Sequence, residues 1–133
     1  VVDVDVDLAE NLPTINCQPG KLNQVFMNII TNAAHATTDT DLKRSERSVK
    51  VSTRVVTTDN IDVIQVEISD NGVGMSKETQ DQIFIPFFTT KDVGKGTGLG
   101  LSIVQGILED HDAKVEISSV MGEGTVFILS FPT

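Results

Sequence analysis

The chain has one cysteine, Cys17, so it cannot close an internal disulfide, which suits a reducing compartment. Cations are scarce too. Ten lysines and arginines stand against nineteen aspartates and glutamates, a net charge of −9. That balance argues against a nucleic-acid partner, which would call for basic patches. No apolar run approaches the roughly 18 residues of a membrane span, and no signal-peptide pattern opens the chain. Internal repeats and low-complexity tracts are absent. So are two common nucleotide loops. The Walker string Gly-x-x-x-x-Gly-Lys-Ser/Thr does not occur. A Gly-x-Gly-x-x-Gly pattern read from Gly94 ends on Leu99, and read from Gly96 it ends on Leu101. Both the dinucleotide fingerprint and the protein-kinase glycine loop therefore fail.

What remains is a chain of 133 residues, 39% hydrophobic and 22% charged, the profile of one globular domain with a single core. It begins at Val1 inside a strand-like alternation, as expected of a domain cut from a longer protein. Val2, Val4, Val6 and Leu8 alternate with Asp3, Asp5 and Asp7, which predicts a half-exposed strand with its acids toward solvent or a neighbouring domain. Thr14 to Cys17 can form a second short strand, with Cys17 as a small buried apolar residue. After Pro19-Gly20 a helix is predicted from about Lys21 to Thr37, then a polar loop to Ser48. Val49–Val56 and Asp62–Ser69 read as strands joined around Asp59-Asn60. A short helix follows Ser76, whose hydroxyl can cap it. A lid-like segment runs from about Ile85 to Thr97, followed by a helix to about Glu109. Lys114–Ser118 and Thr125–Phe131 close as a hairpin through Met121-Gly122-Glu123-Gly124. The pattern is mixed α/β, with sheet and helices in two layers.

Four glycines, Gly94, Gly96, Gly98 and Gly100, alternate with Lys95, Thr97 and Leu99 and run into the apolar helical pattern Leu101, Ile103, Val104, Ile107 and Leu108. Glycine lets a ligand approach the backbone, and a helix start offers unpaired N–H groups and a positive dipole end. Together they form a site suited to phosphate. A flexible glycine-rich lid or linker is the alternative.

In the first helix Leu22, Val25, Phe26, Ile29, Ile30 and Ala33 fall on one apolar arc. Asn28, Asn32 and His35 form a polar stripe beside it. Asparagine is a mediocre helix former. Two on one edge point to ligand duty, since an amide oxygen can ligate a hard cation such as Mg²⁺ alongside substrate phosphates. An ordinary solvated helix edge is the alternative.

Asp70-Asn71-Gly72-Val73-Gly74-Met75 ends a strand but leads to a capped helix, which weakens the hairpin reading of Asn-Gly. A carboxylate there can accept the amine hydrogen of adenine, while Gly72 and Gly74 let the backbone come close to the ring. Phe84, Phe87 and Phe88 crowd a loop-like stretch containing Pro86 and ending Thr89-Thr90-Lys91. They read as apolar anchors of a flap, or as core. Lys91 and Lys95 are candidates for phosphate contact, or solvated surface lysines.

Taken in order, these motifs resemble those of sensor histidine kinases over nearly the whole chain. Asn28 to Ala36 looks like the N box, Asp70 to Gly74 the G1 box, Phe84 to Phe88 the F box and Gly96 to Leu101 the G2 box. Gly122 to Phe127 resembles the glycine-threonine element of the family's final hairpin, which brings Thr125 to the site. The resemblance implies a Bergerat-type ATP-binding domain, a two-layer α/β sandwich of a mixed sheet on about three helices. It implies ATP and Mg²⁺ as ligands. Asn32 would ligate the metal, with Asn28 and His35 near the phosphates. Asp70 would hold adenine, with Gly72 and Gly74 beside it. Phe84, Phe87, Phe88, Thr89, Lys91, Lys95, Gly96, Thr97, Gly98, Leu99, Gly100 and Leu101 would enclose the nucleotide.

Related ATPases (gyrases, heat-shock chaperones, mismatch-repair proteins) and the family's serine kinases carry a glutamate general base one turn before the metal-binding asparagine. Here that position is Asn28, which cannot accept a proton. This favours the histidine-kinase reading over an ATP-hydrolysing clamp or a serine kinase. A nucleotide-sensing module without phosphotransfer stays open. Neither His35 nor His111 fits the family's phosphoacceptor pattern, and His111-Asp112-Ala113 stands where the family usually has His-Gly-Gly. The implied partners are a histidine-containing dimerisation domain of the same protein and the receiver domain of a response regulator. The isolated domain would be a monomer and the full-length protein a homodimer, cytoplasmic or anchored to a membrane through other segments.

Overall fold

Pro19–Thr38 forms the long helix α1, two residues earlier than the sequence pattern suggests, because proline's fixed φ suits the first helical position. In the computed structural model, which describes residues 4–85 and 100–133, α1 buries Leu22, Val25, Ile29 and Ala33. Phe26 and Ile30 pack at the margin of the same core. The predicted apolar arc is the arc that is buried.

Five strands build one sheet: β1 (Val4–Asp7), β2 (Val49–Thr58), β3 (Ile61–Asp70), β4 (Lys114–Val120) and β5 (Gly124–Pro132), in the order β1-β2-β3-β5-β4. β1 runs parallel to β2 and every other pairing is antiparallel, so the sheet is mixed. β2 and β3 join through Asp59 and Asn60, both with positive φ (54° and 64°), the two-residue turn whose twist matches a hairpin. On the helix-facing side the sheet presents Val49, Ile64, Val66, Ile68, Phe127, Leu129 and Phe131, all buried. Phe26 meets Phe131 edge to face, ring centroids 6.1 Å apart.

α2 (Lys77–Gln80) is capped by Ser76, whose Oγ accepts the Thr79 N–H at 3.1 Å. α3 (Gly100–Asp110) buries Val104, Ile107 and Leu108 beside α1. It closes with Ala113 N–H on the Leu108 carbonyl and Asp112 N–H on that of Glu109, a Schellman ending with Asp112 at φ 54°. The helices thus form one layer on one side of the sheet.

Three expectations need correction. β1 is exposed along its whole length, with Val4 at 41% and Val6 at 59%, because among the described residues it packs chiefly on β2 at the sheet edge, whereas the opposite edge strand β4 also meets α3. Val2 and Asp3 of the predicted strand lie outside the described residues. Thr14 to Cys17 is not a strand. It follows Pro13, which has no N–H for a ladder, and runs directly into the start of α1. Cys17 is exposed rather than buried, on the wall of an open depression shared with Gln18, Pro19, Gly20, Lys21 and Gln24.

Candidate nucleotide site

At one end of the sheet Val49, Asp70, Thr125 and Ser119 are successive cross-strand partners on β2, β3, β5 and β4. The Asp70 carboxylate accepts the Gly72 N–H at 2.8 Å, and the Thr125 backbone N–H is a second donor to it. Burial pushes the Asp70 carboxyl above its ordinary value, and these two N–H groups pull the other way. Among the described residues, these two N–H groups hold the carboxylate in place.

The loop after Asp70 is docked on two sides. Val73 donates its N–H to the Ala36 carbonyl in the last turns of α1, at 3.1 Å. A Cβ on Gly72 would lie 2.6 Å from the Ala36 oxygen, so only glycine fits that close approach. On the other side Gly122 N–H reaches the Val73 carbonyl at 2.8 Å, and Gly74, at φ 71°, passes over Val120 of β4. Asn71 ties in the preceding loop, accepting the Ser48 N–H at 2.9 Å and donating to the Glu46 carbonyl at 2.7 Å.

The polar edge of α1 leads away from this loop. Asn28 is half-buried and donates its amide to the Gly100 carbonyl at the start of α3, at 3.4 Å. Asn32 is half-buried between the two ends, and His35 is exposed. Eight residues of helix, about 12 Å, separate the Gly100 end from the Ala36–Gly72 end. The sequence-predicted residues Asn28, Asn32, Asp70, Gly72, Gly74, Gly100 and Thr125 therefore border one side of the molecule, along α1 and the adjoining end of the sheet. Leu101 and Phe84 are half-buried and pack against the core. Phe87, Phe88, Thr89, Lys91, Lys95, Gly96, Thr97, Gly98 and Leu99 lie outside the described residues.

Two residues at this site escaped the sequence reading. Ser119 Oγ accepts the Met75 N–H at 2.8 Å, donates to the Gly124 carbonyl at 3.0 Å and lies 2.7 Å from Thr125 Oγ1. Gln80 donates both amide hydrogens, to the Met75 and Ser119 carbonyls at 3.1 and 3.2 Å. Ser119 had a signal: it continues the Val115, Ile117 alternation on the inward face, where a hydroxyl needs a partner. His111 closes α3 as a helix-end residue. Its Nδ1–H donates to the Ile107 carbonyl at 2.8 Å, and its Nε2 accepts the Gln18 N–H at 3.0 Å, joining the end of α3 to the start of α1.

No group of three or more His, Cys, Asp or Glu side chains clusters as a metal site among the described residues. No described helix is long and apolar enough to cross a membrane.

The family described as histidine kinase-, DNA gyrase B-, and HSP90-like ATPase matches residues 17–133. Sporulation kinase E of Bacillus subtilis is 33% identical over 131 residues, which is 98% of this chain and 16% of that protein. Sensor histidine kinase ZraS of Salmonella typhimurium is 34% identical over 123 residues, 92% of this chain and 24% of that protein. The chain thus spans a quarter or less of the length of these curated relatives. The nucleotide-free catalytic domain of histidine kinase ThkA superposes with a TM-score of 0.77 at 30% identity, covering 98% of this chain and 78% of that one. Fold and sequence agree: the chain belongs to the histidine kinase-, DNA gyrase B-, and HSP90-like ATPase family, in the form taken by histidine-kinase catalytic domains.

Proposed function

We propose that the chain is a single ATP-binding catalytic domain of a sensor histidine kinase, passing the γ-phosphoryl group of ATP to a histidine on a separate dimerisation domain. The observation that carries this reading is the Asp70 carboxylate, fixed by two backbone N–H groups beside a loop docked on the asparagine-edged helix. Its acceptor oxygens suit the amine of adenine. From the base at the Ala36–Gly72 end, His35, Asn32 and then Asn28 run along α1 toward the Gly100 end and the phosphates.

The donor set on α1 also fits Mg²⁺. The half-buried amide of Asn32 offers a neutral oxygen, and a hard cation shared with phosphates needs few protein ligands. When bound, the ion would neutralise phosphate charge; the chain's own contribution is to hold the nucleotide in line with an incoming imidazole. Asn28 in place of a carboxylate supports transfer to histidine, because an imidazole needs no base to expose its lone pair.

On this reading the partners are the phosphoacceptor hairpin of the same protein and the receiver domain of a response regulator, in the cytoplasm. Two copies would work together in the full-length dimer. Mixing the chain with its cognate hairpin domain and Mg-ATP should yield phosphohistidine on the hairpin. Nucleotide binding without any phosphohistidine would leave a nucleotide-sensing module instead, and steady phosphate release without the hairpin would point to an ATP-hydrolysing clamp.

A further inference from the structure

We infer that Asn71 is a site of spontaneous deamidation, held in its amide form by a clasp on residues 46–48, and that its conversion opens the loop after Asp70.

Asn71-Gly72 is the one Asn-Gly pair in the sequence. Glycine has no Cβ, so its backbone nitrogen is open to close approach. Once a solvent base has taken its hydrogen, the Gly72 nitrogen can bond to the side-chain carbon Cγ of Asn71. The Cγ–Nδ2 bond breaks, and Nδ2 leaves as ammonia with a proton from water. A cyclic succinimide results, which water reopens. Cleavage between Cγ and the Gly72 nitrogen gives aspartate; cleavage between the main-chain carbonyl carbon and that nitrogen gives isoaspartate. Asparagine and water thus become an acid and ammonia.

The folded chain holds every atom of this reaction away from it. Asn71 Oδ1 accepts the Ser48 N–H at 2.9 Å, and Nδ2 donates to the Glu46 carbonyl at 2.7 Å. The Asn71 backbone N–H reaches the Ser48 carbonyl at 3.3 Å, which fixes main chain and side chain to the same neighbour. The Gly72 N–H is engaged by Asp70 Oδ1 at 2.8 Å, and Gly72 is buried. Cγ can swing over the Gly72 nitrogen only after both side-chain bonds break. Their partners lie on a surface turn, where Glu46 is exposed and its Oε1 accepts the Lys43 N–H at 3.2 Å. Opening of that turn therefore exposes Asn71 to attack without global unfolding.

Conversion cannot be silent. Aspartate at 71 would set an oxygen where Nδ2 now donates, facing the Glu46 carbonyl. Isoaspartate would lengthen the backbone by a methylene beside Gly72, which is packed against Ala36. Either product displaces the residue whose N–H holds Asp70. Weakened ADP binding then follows, and this consequence alone rests on the nucleotide-binding reading above.

The test incubates the chain in mildly alkaline buffer, folded and in urea, and follows each asparagine by peptide mass mapping, with isoaspartate scored by isoaspartyl methyltransferase. In urea Asn71 should convert ahead of every other asparagine. In the folded chain its conversion should be about thirtyfold slower, the effect of two side-chain hydrogen bonds. Ser48→Pro deletes the N–H that Oδ1 accepts and should speed conversion in the folded state by about fivefold. If Ser48→Pro does not fold, Glu46→Ala, which frees the Lys43 N–H and loosens the turn, should speed it to a smaller degree. Asn71→Asp should lower the melting temperature at neutral pH. Equal Asn71 rates in the folded and urea-treated chain, or faster loss of another asparagine in urea, would overturn the inference. Failure of the unsubstituted chain to bind ADP would instead remove the nucleotide-binding reading, while the conversion rates would still uphold Asn71 as the site.

Discussion

The side-chain amide of Asn28 lies 3.4 Å from the Gly100 carbonyl, tying the middle of α1 to the first turn of α3. The bond is long and partly solvated, so it contributes little to folding. Asn28→Ala should cost less than about 1 kcal/mol in urea unfolding. Its effect on nucleotide affinity should be larger, about tenfold, because the residue also borders the phosphate end of the proposed site. Equal, small effects on both would reduce Asn28 to a helix contact.

Asp70 separates stability from function. Its carboxyl is raised above the ordinary 3.8 because burial disfavours the charge. The folded state therefore holds a proton more tightly than the unfolded chain. This favours folding at acid pH, and the advantage is lost as pH rises through the interval between 3.8 and the raised native value. Asp70→Asn should accordingly raise the melting temperature of the nucleotide-free protein at neutral pH while weakening adenine nucleotides. In the unsubstituted chain, ADP affinity should decline as acid protonates Asp70. A melting temperature that falls in Asp70→Asn would show that the charge stabilises the fold.

Gly72 is a packing requirement. A Cβ there would sit 2.5–2.7 Å from three atoms of Ala36, two of them backbone. Gly72→Ala should cost about 1–3 kcal/mol and lower nucleotide affinity by shifting the loop after Asp70. Unchanged stability in a denaturant titration would contradict the docking of this loop on α1.

Asp112 occupies the left-handed position of the Schellman ending of α3, φ 54°, where the family usually has glycine. Asp112→Gly removes the Cβ strain and should stabilise the protein by about 1 kcal/mol. Nucleotide affinity should stay the same, since α3 ends far along the helix from Gly100. Loss of stability would mean that the aspartate side chain offsets its own strain.

Much of the fold was legible because periodicity and turn chemistry agreed. The arc Leu22, Val25, Ile29, Ala33 could face only a core. Asp59-Asn60 tolerates the left-handed turn of β2 and β3, and Ser76 stands where a short helix needs an acceptor. Thr14 to Cys17 misled because an apolar alternation of four residues says nothing about whether a sheet edge is available to pair with it. In the candidate site, Asp70 and the asparagines stand out in the sequence through their type and spacing. Gln80 does not, since its role comes from the meeting of α2, the loop at Met75 and β4, residues far apart in the chain. The close fit of Gly72 under Ala36 likewise exists only once α1 packs on the sheet.

On the proposed reading, Asp70 and the asparagine edge of α1 form one site for magnesium-bound adenine nucleotide. Calorimetric titration of ADP with and without Mg²⁺, on the chain and on Asp70→Asn and Asn32→Ala, tests it most directly. The account predicts saturable one-to-one binding strengthened by Mg²⁺, weakened in Asp70→Asn, and stripped of its magnesium dependence in Asn32→Ala. Absence of ADP binding, or binding that neither substitution alters, would contradict it.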